Sequence, residues 1–175
     1  PVLCQMLDRF AEDLGDDGLI RSQPGRRLFL DWSPMDRSEP NLTYNLRYLH
    51  ALQLAAGLGT TLHAPEVAGW RDRAASLRAA ILSTHLGSNG WQESPGGAAA
   101  SQLALAFLVL TGIATGPDAI ALSDSISARS LDPEDATQAG KLVLASPFMH
   151  HYVFQALHKV GRKDDIDRII EMAWE

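Results

Sequence analysis

Cysteine and positive charge are scarce in this chain, and long apolar runs are absent. Its 175 residues include a single cysteine, Cys4, which excludes an intrachain disulfide framework and a cysteine-based zinc site. Fifteen Lys and Arg residues stand against 21 Asp and Glu, and the resulting net charge of −6 disfavours a nucleic-acid partner. No apolar stretch reaches the roughly 18 residues that a membrane-spanning helix needs, so we expect no membrane partner.

The remaining composition is typical of a folded domain. Hydrophobic residues make up 46% of the sequence and charged residues 21%, which excludes intrinsic disorder and predicts a single domain over residues 1–175. The sequence begins with Pro1 instead of Met, so we expect a piece of a longer protein. The cellular compartment is left open, with a cytoplasmic location slightly favoured over secretion.

The hydrophobic periodicity is helical along almost the whole chain. Apolar residues recur at three- and four-residue intervals between glycine- and proline-rich breaks, and no alternating strand pattern competes. The predicted fold class is therefore all-α, with about seven helices joined as antiparallel hairpins. The predicted helices cover residues 2–14, 41–57, 65–85, 98–114, 117–129, 146–160 and 163–174.

Local signals set the expected ends of these helices. Asn41 and Ser146 are predicted N-caps, the second followed by a proline in the first helical position. Gly57 and Gly59 are expected to end the second helix, because glycine tolerates the left-handed turn found there. Residues 98–114 are apolar on nearly every side, which predicts a fully buried helix.

The histidines do not form a metal motif. The sequence has no phosphate-binding glycine loop, no nucleophile elbow and no pair of histidines four residues apart. His150 and His151 are adjacent and lie about 100° apart on a helix, so they cannot share a metal ion. We therefore predict no metal and no cofactor. Either one histidine packs while the other is solvated, or the pair contacts a ligand at the helix N-terminus.

Two predicted loops place a tryptophan close to an acid. Asp31 precedes Trp32 in the first long loop, and Glu93 follows Trp91 in the glycine-rich loop 87–97. An aromatic ring can stack on the apolar face of a sugar while carboxylates and amides bind its hydroxyls. The alternative is that each tryptophan packs on the core and each acid makes a local hydrogen bond within its loop.

Three segments resemble motifs of the family 78 α-L-rhamnosidases, in the family's order. The run LFLDW at 28–32 is similar to its FxDW loop. Residues 101–114 resemble its SQxxNALAVLxGIA helix, although Leu105 stands where the family has Asn. Residues 147–162 resemble its PFxxxYVLxALxxxGR hairpin. The order and intervals hold over residues 1–174.

The resemblance implies a toroid of six helical hairpins, (α/α)6, of which this chain would supply about half. Members of the family cleave terminal α-L-rhamnose with inversion, which uses a general acid and a general base roughly 6.5–9.5 Å apart. By this resemblance the acid lies in a segment upstream of Pro1, and the base lies in a TxWE segment beyond the last helix. Trp174 and Glu175 match the end of the family's penultimate helix instead of that base. The catalytic residues are therefore left unassigned.

The resemblance also implies a sugar subsite with Trp32 as its stacking wall and Asp31 as an acceptor for a sugar hydroxyl. The expected ligand is a carbohydrate or a glycosylated small molecule. With the two loops and the histidine pair included, the candidate substrate-binding residues are Asp31, Trp32, Trp91, Glu93, His150 and His151.

Two functional hypotheses follow. In the first, the chain is a rhamnosidase-like glycoside hydrolase domain or fragment. In the second, it is a non-hydrolytic descendant that serves as a sugar-binding or small-molecule-binding module, or as a scaffold for other small-molecule chemistry. An assembly-only helical repeat is a weaker alternative, since no period of about 30–45 residues recurs. Apolar flanks on the first and last helices predict a homodimer or a complementing half-domain.

Overall fold

The protein is described by a computed structural model that covers residues 2–25, 29–132 and 142–174, without the side chains of the last two. Within these ranges the chain is mostly helical with one two-stranded sheet, which confirms the predicted all-α fold class. The helices are α1 (Val2–Ala11), α2 (Leu42–Thr61), α3 (Val67–His85), α4 (Gln102–Leu110), α5 (Gly116–Leu131), α6 (His150–Lys159) and α7 (Lys163–Trp174).

Contacts within the chain divide it into two compact units. The first unit consists of Pro1–Leu30 and Asp36–Ala98 and contains α1, α2 and α3. The second unit consists of Asp31–Met35 and Ala99–Glu175 and contains α4 to α7. No helix in the described ranges is long and apolar enough to cross a membrane.

In the first unit, α2 packs against α3, and α1 packs against α2. The core between them is built from fully buried aliphatic side chains such as Leu49 and Ile81. α1 is anchored by polar contacts as well, since the Tyr48 hydroxyl donates to the Leu7 carbonyl at 3.0 Å and the Arg73 guanidinium donates to the same oxygen at 3.3 Å.

The predicted N-cap of α2 is confirmed, but its predicted end at Gly57 and Gly59 is wrong. The Asn41 side chain accepts a hydrogen bond from the backbone N–H of Tyr44 at 3.0 Å. Gly59 is buried, and a Cβ atom there would lie 2.7 Å from Val67 and therefore clash. This glycine lets the start of α3 approach α2 closely instead of ending the helix.

The glycine-rich loop that follows α3 contains a short β-hairpin. Its strands are β1 (Leu86–Gly87) and β2 (Gly90–Trp91), with Leu86 paired to Trp91. Gly90 has φ of 93°, a conformation that favours glycine. The hairpin displaces none of the predicted helices, because it follows the end of α3 at His85, and two-residue strands are too short to show an alternating pattern in the sequence.

In the second unit, α4 is the central helix and packs against α5 and α6, while α7 packs against α5 and α6. All residues from Gln102 to Val109 are buried, which confirms the predicted buried helix. The helix is shorter than predicted at both ends: the Ser101 hydroxyl caps its start, accepting from the Ala104 N–H at 3.2 Å, and Gly112 follows its end with φ of 67°.

The start of α6 differs from the prediction. Residues Pro147–Met149 form one 3₁₀ turn, and α6 begins at His150. The Ser146 side chain makes no capping hydrogen bond, and its hydroxyl is directed to Asp31, to which it donates. A contact to a residue far away in sequence has replaced the local cap.

Several sequence-based expectations are untested by the described residues. The polar turn predicted at residues 132–135 lies outside them from residue 133 onward, as do Leu28 and Glu175. Val2 and Met6 of α1 and Met172 of α7 are exposed, and the homodimer or complementing half-domain stays a prediction.

Candidate functional site

Asp31 links two separate segments of the second unit. Its side chain is fully buried, and its carboxylate accepts the Ser146 N–H at 2.7 Å, the Ser146 hydroxyl and the Trp32 N–H at 2.6 Å. Hydrogen bonds to a charged acceptor are among the stronger ones in proteins. The carboxylate therefore fixes the chain around residue 31 to the segment that enters α6, and it is not presented to solvent.

Gln102 holds the same segment from the side of α4. This side chain is fully buried, and its Oε1 accepts the Ala145 N–H at 2.9 Å. The Gln102 backbone N–H donates to the Val143 carbonyl at 2.9 Å. Residues 143–146 are thus hydrogen-bonded to α4 at one end and to Asp31 at the other, so the approach to α6 has a defined backbone position.

Two aromatic side chains lie beside this linkage and are exposed. Trp32, directly after Asp31, is 70% exposed, and Phe148, two residues after Ser146, is 68% exposed. Large aromatic rings are more often buried, so these two exposed rings beside one buried hydrogen-bond network mark a candidate binding surface. Sequence reasoning missed Phe148 as a site residue. The signals available were its position in the PF pair of the rhamnosidase-like hairpin motif and its place directly after a helix-initiating proline.

His150 occupies the first position of α6, close to the same network. Its ring is half-buried, with its centroid 5.3 Å from that of Phe154, and its Nδ1 is buried without a hydrogen bond of normal geometry. Burial lowers the pKa of His150, while the Asp31 carboxylate and the Ala145 carbonyl act in the opposite direction. The ring is therefore mainly neutral at pH 7, when it can both donate and accept hydrogen bonds.

His151 is exposed, and its contacts are local. Its Nε2 lies 2.8 Å from the side-chain nitrogen of Gln155, and its ring meets that of Tyr152 edge-on at 5.2 Å. The two adjacent histidines therefore have different surroundings. In the described part of the chain, no group of three or more His, Cys, Asp or Glu side chains is arranged to hold a metal ion.

Glu93 belongs to the first unit and supports the start of α2. It is buried, and its carboxylate accepts the Thr43 N–H at 3.0 Å while its carbonyl accepts the Leu42 N–H at 2.7 Å. The first N–H groups of a helix lack partners within the helix, and a negative charge there is favourable. Glu93 is therefore part of the helix cap, and Trp91 lies half-buried beside it in β2.

His85 connects the end of α3 to this loop. Its side chain is fully buried, with Nδ1 3.2 Å from the Gln92 carbonyl and Nε2 buried without a hydrogen-bond partner. Burial lowers the pKa of His85, while the hydrogen bond to Gln92 and the more distant Asp17 carboxylate act in the opposite direction. His85 was not among the predicted site residues, and its buried contacts are those of a structural residue.

The predicted site residues therefore fall into two groups. Asp31, Trp32 and His150 lie around one network in the second unit, joined there by Phe148. Trp91 and Glu93 belong to the loop of the first unit that caps α2.

Comparison with known proteins assigns the fold. No protein-family profile and no curated protein sequence matches the chain. The crystal structure of a GH78 family rhamnosidase of Bacillus sp. GL1 superposes with a TM-score of 0.78 and 22% identity, covering 99% of this chain and 18% of that one. The chain has the helical fold of a GH78 rhamnosidase domain.

A second structural match is a rhamnosidase from Klebsiella oxytoca with rhamnose bound. It superposes with a TM-score of 0.71 and 18% identity, covering 96% of this chain and 31% of the enzyme. The chain thus spans less than a third of the length of either rhamnosidase. These two matches confirm the resemblance to rhamnosidases that the three sequence motifs indicated, as far as the fold is concerned. They also confirm the mostly helical architecture.

Proposed function

We propose that this chain is part of a GH78-like α-L-rhamnosidase domain and that its second unit supplies one wall of a site for terminal α-L-rhamnosides. The observation that carries this proposal is the 70% exposed Trp32, on a backbone fixed by the buried Asp31 carboxylate. An exposed, positioned indole is suited to stacking on the apolar face of a sugar ring. The structurally similar Klebsiella oxytoca rhamnosidase has rhamnose bound, which supports this ligand class.

Each nearby residue has a separate role in this proposal. Trp32 stacks on the sugar. Asp31 is a positioning residue, because its oxygens are occupied by the Ser146 and Trp32 donors. Neutral His150 supplies a polar contact for a hydroxyl group, since one imidazole nitrogen accepts and the other donates. The exposed His151 is an outer contact.

Inverting hydrolysis is the reaction that the resemblance implies, and it needs two carboxyl groups on either side of the sugar. The two acids of the tryptophan loops are not suited to that task here. Asp31 and Glu93 are both buried and accept hydrogen bonds from backbone N–H groups. This favours a second candidate function for the isolated chain, a rhamnoside-binding module without hydrolysis.

Calorimetric titration with methyl α-L-rhamnoside tests the binding proposal. We expect Trp32→Ala to weaken binding by about 1–2 kcal/mol, the contribution of one stacked aromatic contact. Ile120→Ala is the matched control, because Ile120 is also a half-exposed apolar residue of the second unit but lies on α5. Equal affinity of Trp32→Ala and the unaltered protein would show that the sugar does not stack there.

Release of 4-nitrophenol from 4-nitrophenyl α-L-rhamnoside separates the two candidate functions. Binding without turnover by the isolated chain supports the binding module. Turnover at an enzyme-like rate would support the hydrolase and would require a carboxyl pair other than Asp31 and Glu93.

A further inference from the structure

Asn89 lies at the tip of the β-hairpin in the first unit, directly before Gly90. The turn that joins β1 to β2 consists of Ser88 and Asn89, and both residues are exposed. The space around Gly90 is open as well, since a Cβ atom there would meet nothing within 4 Å. The Asn89 side chain and the peptide bond that follows it are therefore accessible to solvent and free of steric obstruction.

The other asparagines of the chain are held in the opposite way. Asn41 and Asn45 are fully buried, and each is followed by a leucine. The Asn41 Nδ2 donates to the Asp36 carbonyl at 3.0 Å, and the Asn45 Nδ2 donates to the Ile20 carbonyl at 3.1 Å. Their amide groups are fixed by these hydrogen bonds and by the start of α2.

An exposed asparagine followed by glycine contains the atoms for an intramolecular reaction. The backbone nitrogen of Gly90 attacks the side-chain carbonyl carbon of Asn89, and a new carbon–nitrogen bond forms. The bond from that carbon to the side-chain nitrogen breaks, and ammonia leaves with the proton from the Gly90 nitrogen. Both reacting groups belong to neighbouring residues, which gives the attack a high effective concentration.

The product of this step is a cyclic succinimide, which water opens. Hydrolysis at the former side-chain carbonyl gives aspartate, and hydrolysis at the main-chain carbonyl gives isoaspartate. The attack requires the Gly90 nitrogen to leave its pairing with Gly87 in the hairpin. Strands of two residues give little stability, so this pairing opens at a small cost in free energy.

We propose that Asn89 is a site of spontaneous deamidation and that isoaspartate formed there loosens the cap of α2. Isoaspartate carries a negative charge and adds one carbon atom to the main chain within the turn. The pairs Gly87–Gly90 and Leu86–Trp91 depend on the length of that turn, so the longer main chain disrupts their register. The inference is independent of the proposed function.

The cap of α2 follows the hairpin directly. The Gln92 N–H donates to the His85 carbonyl at 2.9 Å, next to the strand pair. The Glu93 carboxylate, one residue later, accepts the Thr43 N–H at 3.0 Å. A hairpin that loses its register therefore moves the segment that holds this carboxylate in place, and we expect the modified protein to unfold at a lower temperature.

Incubation of the whole chain in a mildly alkaline buffer, followed by digestion with trypsin and mass spectrometry, tests the proposal. Peptide 79–129 contains Asn89, whereas peptide 38–47 contains Asn41 and Asn45. We expect the mass of peptide 79–129 to rise with time by about 1 Da, the difference between an amide and a carboxylic acid. Labelling by protein isoaspartyl methyltransferase should appear in the same peptide, and peptide 38–47 should keep its mass.

Asn89→Gln is the matched variant, because it keeps the amide but would have to close a larger ring. We expect its peptide 79–129 to keep its mass. A constant mass of this peptide in the unaltered protein, or an equal rise in Asn89→Gln or in peptide 38–47, overturns the proposal. Incubation should lower the thermal unfolding midpoint of the unaltered protein and not that of Asn89→Gln. An unchanged midpoint in a sample that contains isoaspartate overturns the link to the cap of α2.

Discussion

The two units use the same local pattern, an acid near a tryptophan, with different results. In the first unit Glu93 is buried against the start of α2, and Trp91 is half-buried in the hairpin. In the second unit Asp31 is equally buried, yet Trp32 is 70% exposed. The acids are alike because each accepts backbone N–H groups. The exposure of the aromatic ring, and not the presence of the acid, separates a candidate site from a structural loop.

The strongest way to test this comparison is to remove the Asp31 carboxylate. We expect Asp31→Ala to lower the free energy of unfolding by about 3 kcal/mol, because it leaves buried N–H and O–H donors without their charged acceptor. It should also weaken rhamnoside binding, since Trp32 and Phe148 lose their fixed backbone. Urea denaturation and calorimetry measure the two effects.

Asp31→Asn is the conservative variant for that experiment, and Glu171→Ala is its surface control. Asp31→Asn keeps one carbonyl acceptor and is expected to lose about half as much stability. Glu171 is exposed on α7, so its substitution should change stability by no more than about 0.5 kcal/mol. A loss below about 1 kcal/mol for Asp31→Ala would mean that the linkage is not what orders the site.

Removing the Glu93 side chain addresses the other half of the comparison. We expect Glu93→Ala to lower the free energy of unfolding by about 2 kcal/mol, because the Thr43 N–H loses a buried charged acceptor at the start of α2. Rhamnoside affinity should be unchanged. Asp72→Ala, at an exposed position on α3, is the control. A fall in affinity with unchanged stability would place Glu93 in the sugar site and break the contrast between the units.

The smallest expected effect concerns pH. Burial lowers the pKa of His85 in the folded state below its unfolded pKa of about 6.5. At a pH between these two pKa values, the unfolded chain binds more protons than the folded chain. The contribution of neutral His85 to the free energy of unfolding is therefore fully present above pH 6.5. It decreases as the pH falls, by at most about 1.4 kcal/mol per pH unit. We expect His85→Gln to flatten the dependence of the unfolding midpoint on pH between 7.5 and 5.

His158→Gln is the control for the pH experiment, because His158 is exposed near the end of α6. His150 in the second unit has its pKa lowered by burial as well and contributes with the same sign. If the unfolding midpoint of His85→Gln depends on pH as strongly as that of the unaltered protein, His85 is not the source of the pH dependence.

The candidate site could be predicted only in part. The resemblance to the rhamnosidases pointed to Trp32, and the aromatic and acid pattern pointed equally to Trp91. Nothing local to the sequence distinguishes a tryptophan that stays exposed from one that packs. Phe148 was overlooked for the same reason, since a phenylalanine in a first helical turn is most often part of the core.

The sequence by itself determined the helices, because helical periodicity and caps act over three or four residues. Asn41 binding the Tyr44 N–H is an interaction of this kind, and so is the buried pattern of α4. Only the tertiary structure decided contacts between distant segments. Gly59 is a packing glycine because α3 lies against it, and Ser146 binds Asp31, 115 residues away, instead of capping its own helix. A capping hydroxyl accepts from the first N–H groups of its own helix, whereas the Ser146 hydroxyl donates to the buried Asp31 carboxylate, a charged acceptor that only the fold brings near it.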